Sequence, residues 1–318
     1  MNITTFVTLG GGQAKLLIYG SLAVGVPSQV FNSFVLFVSI HPQLKIGRYR
    51  WFVGSLALSD LIMSGVYLFL HPVVSWLPET SFTASLCHFI TCMAIYSGQA
   101  MAYSTLLIAF NRFVSVCHPF EYDRIFTRCT SLLYCLFVHL LSLLLTVPLC
   151  LDVLSSTQLF CNAMIRRSPL SLAATGLVGV VVLMAQALTF YFTIKMRNRI
   201  EAHRKAATSV QAQRRLKKDA NLLRALLIQL FATVVCCSPA ATVCLLSFLI
   251  DVNLWLVAGS LLLSLSNPVF DALTTICVLK CYRSVTMNLF ASFRHGNCTV
   301  NSNRLTQTKT VNRHGERF

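Results

Sequence analysis

Residues 225–250, ALLIQLFATVVCCSPAATVCLLSFLI, run for 26 positions without an Asp, Glu, Lys or Arg. About 20 consecutive apolar residues carry an α-helix across the hydrocarbon core of a bilayer. Lipid offers no partner to a backbone N–H or C=O, so a run of this kind is expected to be helical and membrane-spanning. Six further stretches repeat the pattern. Leu16 to Leu44, Thr80 to Asn111, Cys129 to Leu151 and Ser168 to Ile194 carry no charge, Trp51 to Pro78 carries only Asp60, and Val252 to Leu279 only Asp271. Across the 318 residues 11% are charged and 55% hydrophobic. A soluble domain has about 25% charged residues, and one built from seven such stretches would have no polar face left.

The expected fold is an all-α membrane protein, a seven-transmembrane helix bundle. Its spans fall at about 16–41, 51–76, 82–113, 129–151, 168–196, 220–250 and 253–280, within a domain covering 16–281. The N-terminal 1–15 is expected outside the cell. Residues 282–294 read as an amphipathic helix on the membrane surface, with Val285, Leu289, Phe290 and Phe293 on one apolar face, and 295–318 as a disordered cytoplasmic tail. The first fourteen residues are polar and Gly-rich, and the apolar run after them is long enough to span, so it is expected to act as its own insertion signal.

Sidedness follows from the cations. With the N-terminus outside, the inner segments Pro42–Arg50, Arg112–Arg128, Lys195–Arg224 and Lys280–Phe318 hold three, three, ten and seven Lys and Arg residues, 23 of the chain's 26. Only Lys15, Arg166 and Arg167 lie outside. Positive loops stay in the cytoplasm, so the net charge of +16 is a topology signal and not a nucleic-acid-binding one. Asn2-Ile3-Thr4 is a glycosylation sequon on the outer side, whereas Asn297-Cys298-Thr299 falls inside and is discounted.

Most of the thirteen cysteines lie within spans, where a thiol behaves as a small apolar group. Cys87, at the outer start of the third span, and Cys161, in the following outer loop, both face an oxidising compartment where a bridge can persist. Spacing alone leaves their pairing open. Cys281 and Cys298 bracket the surface helix and are candidates for palmitoylation, with the unmodified thiol as the alternative.

Several short runs share one order and register. Asn32-Ser33-Phe34-Val35 lies in the first span and Ser55-Leu56-Ala57-Leu58-Ser59-Asp60-Leu61 in the second. The third carries Asn111-Arg112-Phe113, with 25 residues from Cys87 to Arg112, followed by Cys117-His118-Pro119-Phe120. Cys236-Cys237-Ser238-Pro239 and Asn267-Pro268-Val269-Phe270-Asp271 mark the sixth and seventh. Together they resemble the rhodopsin-like G-protein-coupled receptor superfamily, over nearly the whole chain. The spacing of Asn111, Arg112, Phe113, Pro119, Tyr122 and Phe126 is similar to invertebrate chemoreceptors, nematode serpentine receptors in particular. The chain departs from the family pattern where Ser55 replaces Asn, Asn111 an acidic residue, Cys237 Trp and Asp271 Tyr. The fourth span has no Trp, and Pro148 is its one familiar mark.

The resemblance implies a receptor, not an enzyme, that takes an extracellular ligand and activates heterotrimeric G proteins when the sixth helix swings outward, from a multi-pass position in the plasma membrane. It implies the Cys87–Cys161 bridge, an interior polar cluster of Asn32, Asp60, Ser264 and Asn267, and a coupling switch of Asn111, Arg112, Asp219, Asn267, Pro268 and Asp271. Asp219 lies twenty residues before Pro239, where the family places an acidic partner for the arginine. Charges within a bilayer are costly, so Asp60 and Asp271 are expected to face the bundle interior. Asp60 either serves an ion and water cluster or simply bonds Asn32 and Asn267. Met101 and Leu263 are apolar where the family adds polar groups, which argues against a bound sodium ion; no metal or cofactor is expected. Pro239 and Pro268 each remove a backbone hydrogen bond and soften a helix, giving points about which it can move.

Ala94 and Leu261 stand where the family carries the amine-binding Asp and the retinal Lys, which by resemblance argues against biogenic amines as ligands and excludes an opsin. His88, Tyr96, Gln99, Tyr103 and Gln186 in the outer half suit a small, largely uncharged ligand, or serve as ordinary interhelical hydrogen-bond partners. A transporter would show internal repeats or paired broken helices, and none is present in the sequence. No catalytic spacing of Ser, His and Asp or of paired intramembrane Asp residues appears either. Beyond ligand and G protein, the expected partners are membrane lipids, with no nucleic acid.

Overall fold

The computed structural model describes residues 11–41, 48–70, 81–152, 169–206, 209–247, 250, 252–279 and 282–287. Helix α1 spans Gly11–Ile40 and α2 spans Tyr49–Gly65, continued by a wider π turn, Val66–Leu70. Then come α3 (Ser81–Cys117), the short α4 (Pro119–Ile125), α5 (Arg128–Asp152), α6 (Pro169–Ala206), α7 (Val210–Ser247) and α8 (Leu254–Val278). Residues 282–287 are helical again, and the rest of the expected 282–294 helix lies outside the described residues. Among the described residues there is no strand. Among the described residues, seven helices (α1, α2, α3, α5, α6, α7 and α8) are long and apolar enough to cross a membrane.

Several boundaries differ from the apolar windows. α6 runs ten residues past Met196 to Ala206, and α7 begins at Val210. These Lys- and Arg-rich turns bond along their own backbone and need no lipid. α2 is described only as far as Leu70.

Local chemistry sets the helix ends. Pro119, at the start of α4, lacks the N–H that would be unsatisfied there. Thr127 and Thr130 exchange bonds before α5: the Thr130 amide donates to Thr127 Oγ1 at 3.1 Å and the Thr127 amide to Thr130 Oγ1 at 2.8 Å. This is a reciprocal N-terminal cap. Asn253 caps α8 by accepting from the Trp255 amide at 2.9 Å. Within the spans, Ser39, Ser59, Ser142, Thr146, Thr189 and Thr193 donate to the carbonyl four residues back. Each hydroxyl is thereby satisfied without water.

α1 packs against α2 and α8, and α3 is gripped by α2, α5 and α6. Small residues allow the closest approaches. A Cβ on Gly20 would lie 2.7 Å from Leu262 of α8, and one on Gly54 would lie 3.2 Å from Ser39 of α1. The surface is inverted relative to a soluble protein. Leu132, Leu133, Leu136, Phe137, Leu140, Leu143 and Leu144 of α5 are all exposed, while Asn32, Asp60, Gln99, Asn111, Asn267 and Asp271 are buried. Lipid as solvent accounts for both halves of that pattern.

Candidate functional site

Two polar regions occupy the bundle interior. In the middle lie Asn32, Asp60, Asn267 and Asp271, each no more than 2% exposed. The Asn32 amide donates to the Pro268 carbonyl at 3.0 Å, joining α1 to α8 beside the proline kink. Asn267 donates to Asp271 Oδ2 at 3.0 Å, one turn along α8. Gln229 of α7 reaches the Asp271 carbonyl and Thr275 Oγ1, both at 3.4 Å. Ser264 donates to the Cys237 sulfur at 3.8 Å, a further polar contact between α8 and α7, one turn before Pro268.

This arrangement corrects the sequence expectation in three places. Neither oxygen of Asp60 bonds a protein group; Asn32 and Asn267 are turned to Pro268 and Asp271 instead. Ser264 bonds Cys237 rather than Asp60. Leu263, expected to line the cluster, is 37% exposed on the outer surface of α8, whereas Met101 is buried in the core. Asp60 and Asp271 do share one interior, within electrostatic reach of each other.

The second region closes the Arg112 end. Asn111 is buried and donates to the Tyr122 hydroxyl of α4 at 3.3 Å. Its neighbour Arg112 lays its guanidinium over the ring of Tyr49, 3.5 Å from the centroid. α4 is pinned by Phe126, which has no exposed surface and meets Phe52, Phe110, Tyr122 and Tyr134. Arg48 and Asp123 add an exposed ion pair at 2.7 Å, worth at most about 1 kcal/mol. On the far side, Ser39 of α1 bonds the Tyr282 hydroxyl at 2.7 Å, fixing the start of the 282–287 helix.

Two of the residues expected to meet a ligand, Tyr96 and Gln99, bond a neighbouring helix. Tyr96 pairs through its hydroxyl with His139 Nδ1 of α5 at 2.8 Å, and Gln99 donates to Thr146 at 3.1 Å. Both therefore knit α3 to α5, the alternative role their residue types allowed. Tyr103 is buried with its hydroxyl unbonded, and Gln186 is half-buried. His139 also bonds Ser55 at 3.1 Å, so two departures from the family pattern, the second-span Ser and the Trp-less fourth span, meet in one network. A neutral imidazole leaves no charge in an apolar run, so nothing in the sequence of the fourth span set His139 apart.

A disulfide joins Cys92 of α3 to Cys150 of α5, with Cα atoms 5.7 Å apart. The sequence reading placed both among free intramembrane thiols. Such a bridge, closing 58 residues, contributes about 2–4 kcal/mol. Cys92→Ser and Cys150→Ser are each expected to lower the melting temperature equally, the double variant no further; an additive loss would mean that the two thiols act apart. The Cys161, Cys281, Cys298 and Asn2 assignments lie outside the described residues, as do the Cys87 and His88 side chains.

Among the described residues, seven apolar helices enclose a buried polar interior, with an arginine at one end and a proline inside each of the last two spans, which makes a seven-helix membrane bundle. The family model described as 7 transmembrane receptor (rhodopsin family) matches residues 31–301, and the chain belongs to that family. The chain is similar in structure to squid rhodopsin, with a TM-score of 0.76 at 13% identity, covering 92% of this chain and 89% of that one. At that identity the likeness is one of fold. No curated protein matches the sequence.

Proposed function

We propose that the protein is a plasma-membrane receptor that binds an extracellular ligand and activates heterotrimeric G proteins by outward movement of α7, its sixth span. The N-terminus lies outside and the Arg112 end faces the cytoplasm, in keeping with the distribution of Lys and Arg. The observation that carries the reading is the construction of that end. Arg112 closes the bundle beside α4, and α4 holds out Phe120, whose side chain is 99% exposed. Towards the same end, α6 extends Lys195, Arg197, Arg199, Arg204 and Lys205 into solvent, with Lys195 and Arg199 within electrostatic reach of Cys117 just before α4. An exposed aromatic at an end that also carries cations suits a partner with an apolar pocket and an acidic surface. Pro239 and Pro268 supply the soft points about which α7 and α8 bend. In the active state Asp271 exchanges its Asn267 contact for Arg112, the role the family gives to a Tyr.

The Asn111, Arg112, Tyr122 and Phe126 pattern favours a chemosensory receptor within this family, with a small, largely uncharged ligand. The test is a ligand screen in cells expressing the receptor with a promiscuous G protein, followed by nucleotide exchange in reconstituted vesicles. Ligand-dependent exchange is expected, and Phe120→Ala is expected to reduce it about tenfold while ligand affinity in the absence of G protein stays unchanged. Ligand binding without exchange on any G protein tested would defeat the coupling reading, and ligand-driven flux across the vesicle would replace it with transport.

A further inference from the structure

An arginine at the end of a bundle helix needs somewhere to put its charge. Here the preceding residue is the neutral Asn111, whose side-chain N–H donates to Tyr122 at 3.3 Å and whose Oδ1 accepts no hydrogen bond, from Arg112 or any other group. Arg112 Nε is buried with no hydrogen-bond partner. The guanidinium instead lies 3.5 Å from the centroid of the Tyr49 ring. Tyr49 is the first residue of α2 and only 7% exposed, so its π face is shielded from the solvent that would weaken the contact. A planar, delocalised cation against a desolvated aromatic face is a strong form of cation–π attraction.

We propose that Tyr49 is the positioning residue of Arg112, holding its guanidinium against α2 in the resting receptor so that a cytoplasmic partner must compete with the Tyr49 ring for it. The regulatory half of this proposal rests on the coupling reading; the stacking itself does not. Because Tyr49 belongs to α2, the restraint leaves α7 untouched. It controls whether the cation is available, independently of whether the sixth span has moved. An ionic partner such as Asp219 would instead tie Arg112 to α7 and make the two events one.

Two measurements on the full-length receptor test the proposal. In vesicles without added ligand, basal nucleotide exchange on G protein is expected to rise about tenfold in Tyr49→Leu and to stay within about twofold of wild type in Tyr49→Phe. Replacing Tyr49 by phenylalanines of increasing ring fluorination drains the π face with little change of shape, and basal exchange should climb stepwise along the series. In parallel, the Arg112 side-chain δ protons, assigned by their loss in Arg112→Lys, should be shifted upfield by the ring in wild type and Tyr49→Phe, and unshifted in Tyr49→Leu.

Unshifted Arg112 protons in the wild type overturn the stacking whatever the signalling shows. A flat fluorination series, or Tyr49→Phe as active as Tyr49→Leu, overturns the regulatory role, as does a tenfold rise in Asp219→Asn alongside a flat series. Absence of exchange in every variant on every G protein counts against the coupling reading, and the proton shifts then decide the positioning role alone. If Tyr49→Leu folds poorly, the phenylalanine series decides the regulatory role.

Discussion

Phe126→Ala is expected to lower the melting temperature of the purified receptor by roughly 10 °C. Phe126 is the hub of the Arg112 end, with ring centroids 5.6 Å from Phe52 of α2, 5.7 Å from Phe110 of α3 and 5.8 Å from Tyr134 of α5. Deleting a fully buried Phe costs about 3–5 kcal/mol through lost transfer energy and the cavity left behind. Three of its contacts are edge-to-face, the geometry that adds attraction beyond area burial. The position follows directly on α4, whose residues are all at least partly exposed, so no buried face of α4 replaces the anchor. Tyr122, 5.4 Å from Phe126, would lose its support and with it the bond to Asn111. Phe126→Leu, which keeps much of the volume, should recover more than half of the loss. A thermal shift of under about 2 °C in Phe126→Ala would show that the ring is not packed as described.

The readability of this chain divides along a physical line. The spans were legible because a bilayer imposes its demand on each segment separately: 129–151 must be apolar whatever lies beside it, and α5 duly forms there. The side-chain pairings were not, because they depend on how each helix is rotated about its axis and how closely it approaches its neighbour. Asn32 and Pro268 are 236 residues apart, and nothing local to either one announces the other. Asn32, Asp60 and Asn267 are all buried in the interior, but the partners they take there, Pro268 for Asn32 and Asp271 for Asn267, are not written in their motifs.

Cys92 and Cys150 illustrate the limit most plainly. In an apolar run a bridged cysteine and a free one leave the same mark in the sequence, and only the juxtaposition of α3 and α5 separates them. The Gln99–Thr146 and Tyr96–His139 bonds lie on the same seam. A covalent tie and two polar ones thus hold α3 and α5 together, while α7 meets α8 through the weaker contacts of Gln229 and the Ser264–Cys237 pair. The α3–α5 seam is thus the one closed covalently, whereas α7 packs along α8 without such a tie.

The second large effect concerns the two interior carboxylates. Asp60→Asn and Asp271→Asn should each raise thermal stability, and the double variant should gain clearly less than the two single gains combined. Both side chains are at most 2% exposed and within electrostatic reach, in surroundings where a buried charge lacking a partner is costly. Asp60 offers two oxygens with no protein donor, and Asp271 has only the Asn267 amide on Oδ2. An amide at either position keeps the shape while removing a group whose ionised form these surroundings disfavour. At position 271 its oxygen can still accept from Asn267. Replacing a buried ion pair or triad by well-packed apolar groups of similar volume is often neutral or stabilising by about 1–4 kcal/mol, and the gain here is expected to be smaller because an amide stays polar. The shortfall in the double variant measures the mutual repulsion, since either substitution alone already relieves it. The measurement is a double-mutant cycle of melting temperatures at one pH. Strict additivity would mean that the carboxylates do not sense each other, and a destabilised Asp60→Asn would mean that the Asp60 charge is compensated in the folded receptor. A gain in stability accompanied by lost ligand-driven exchange would place the cost of these charges in the switch itself, where strain held in the resting state lowers the work of leaving it.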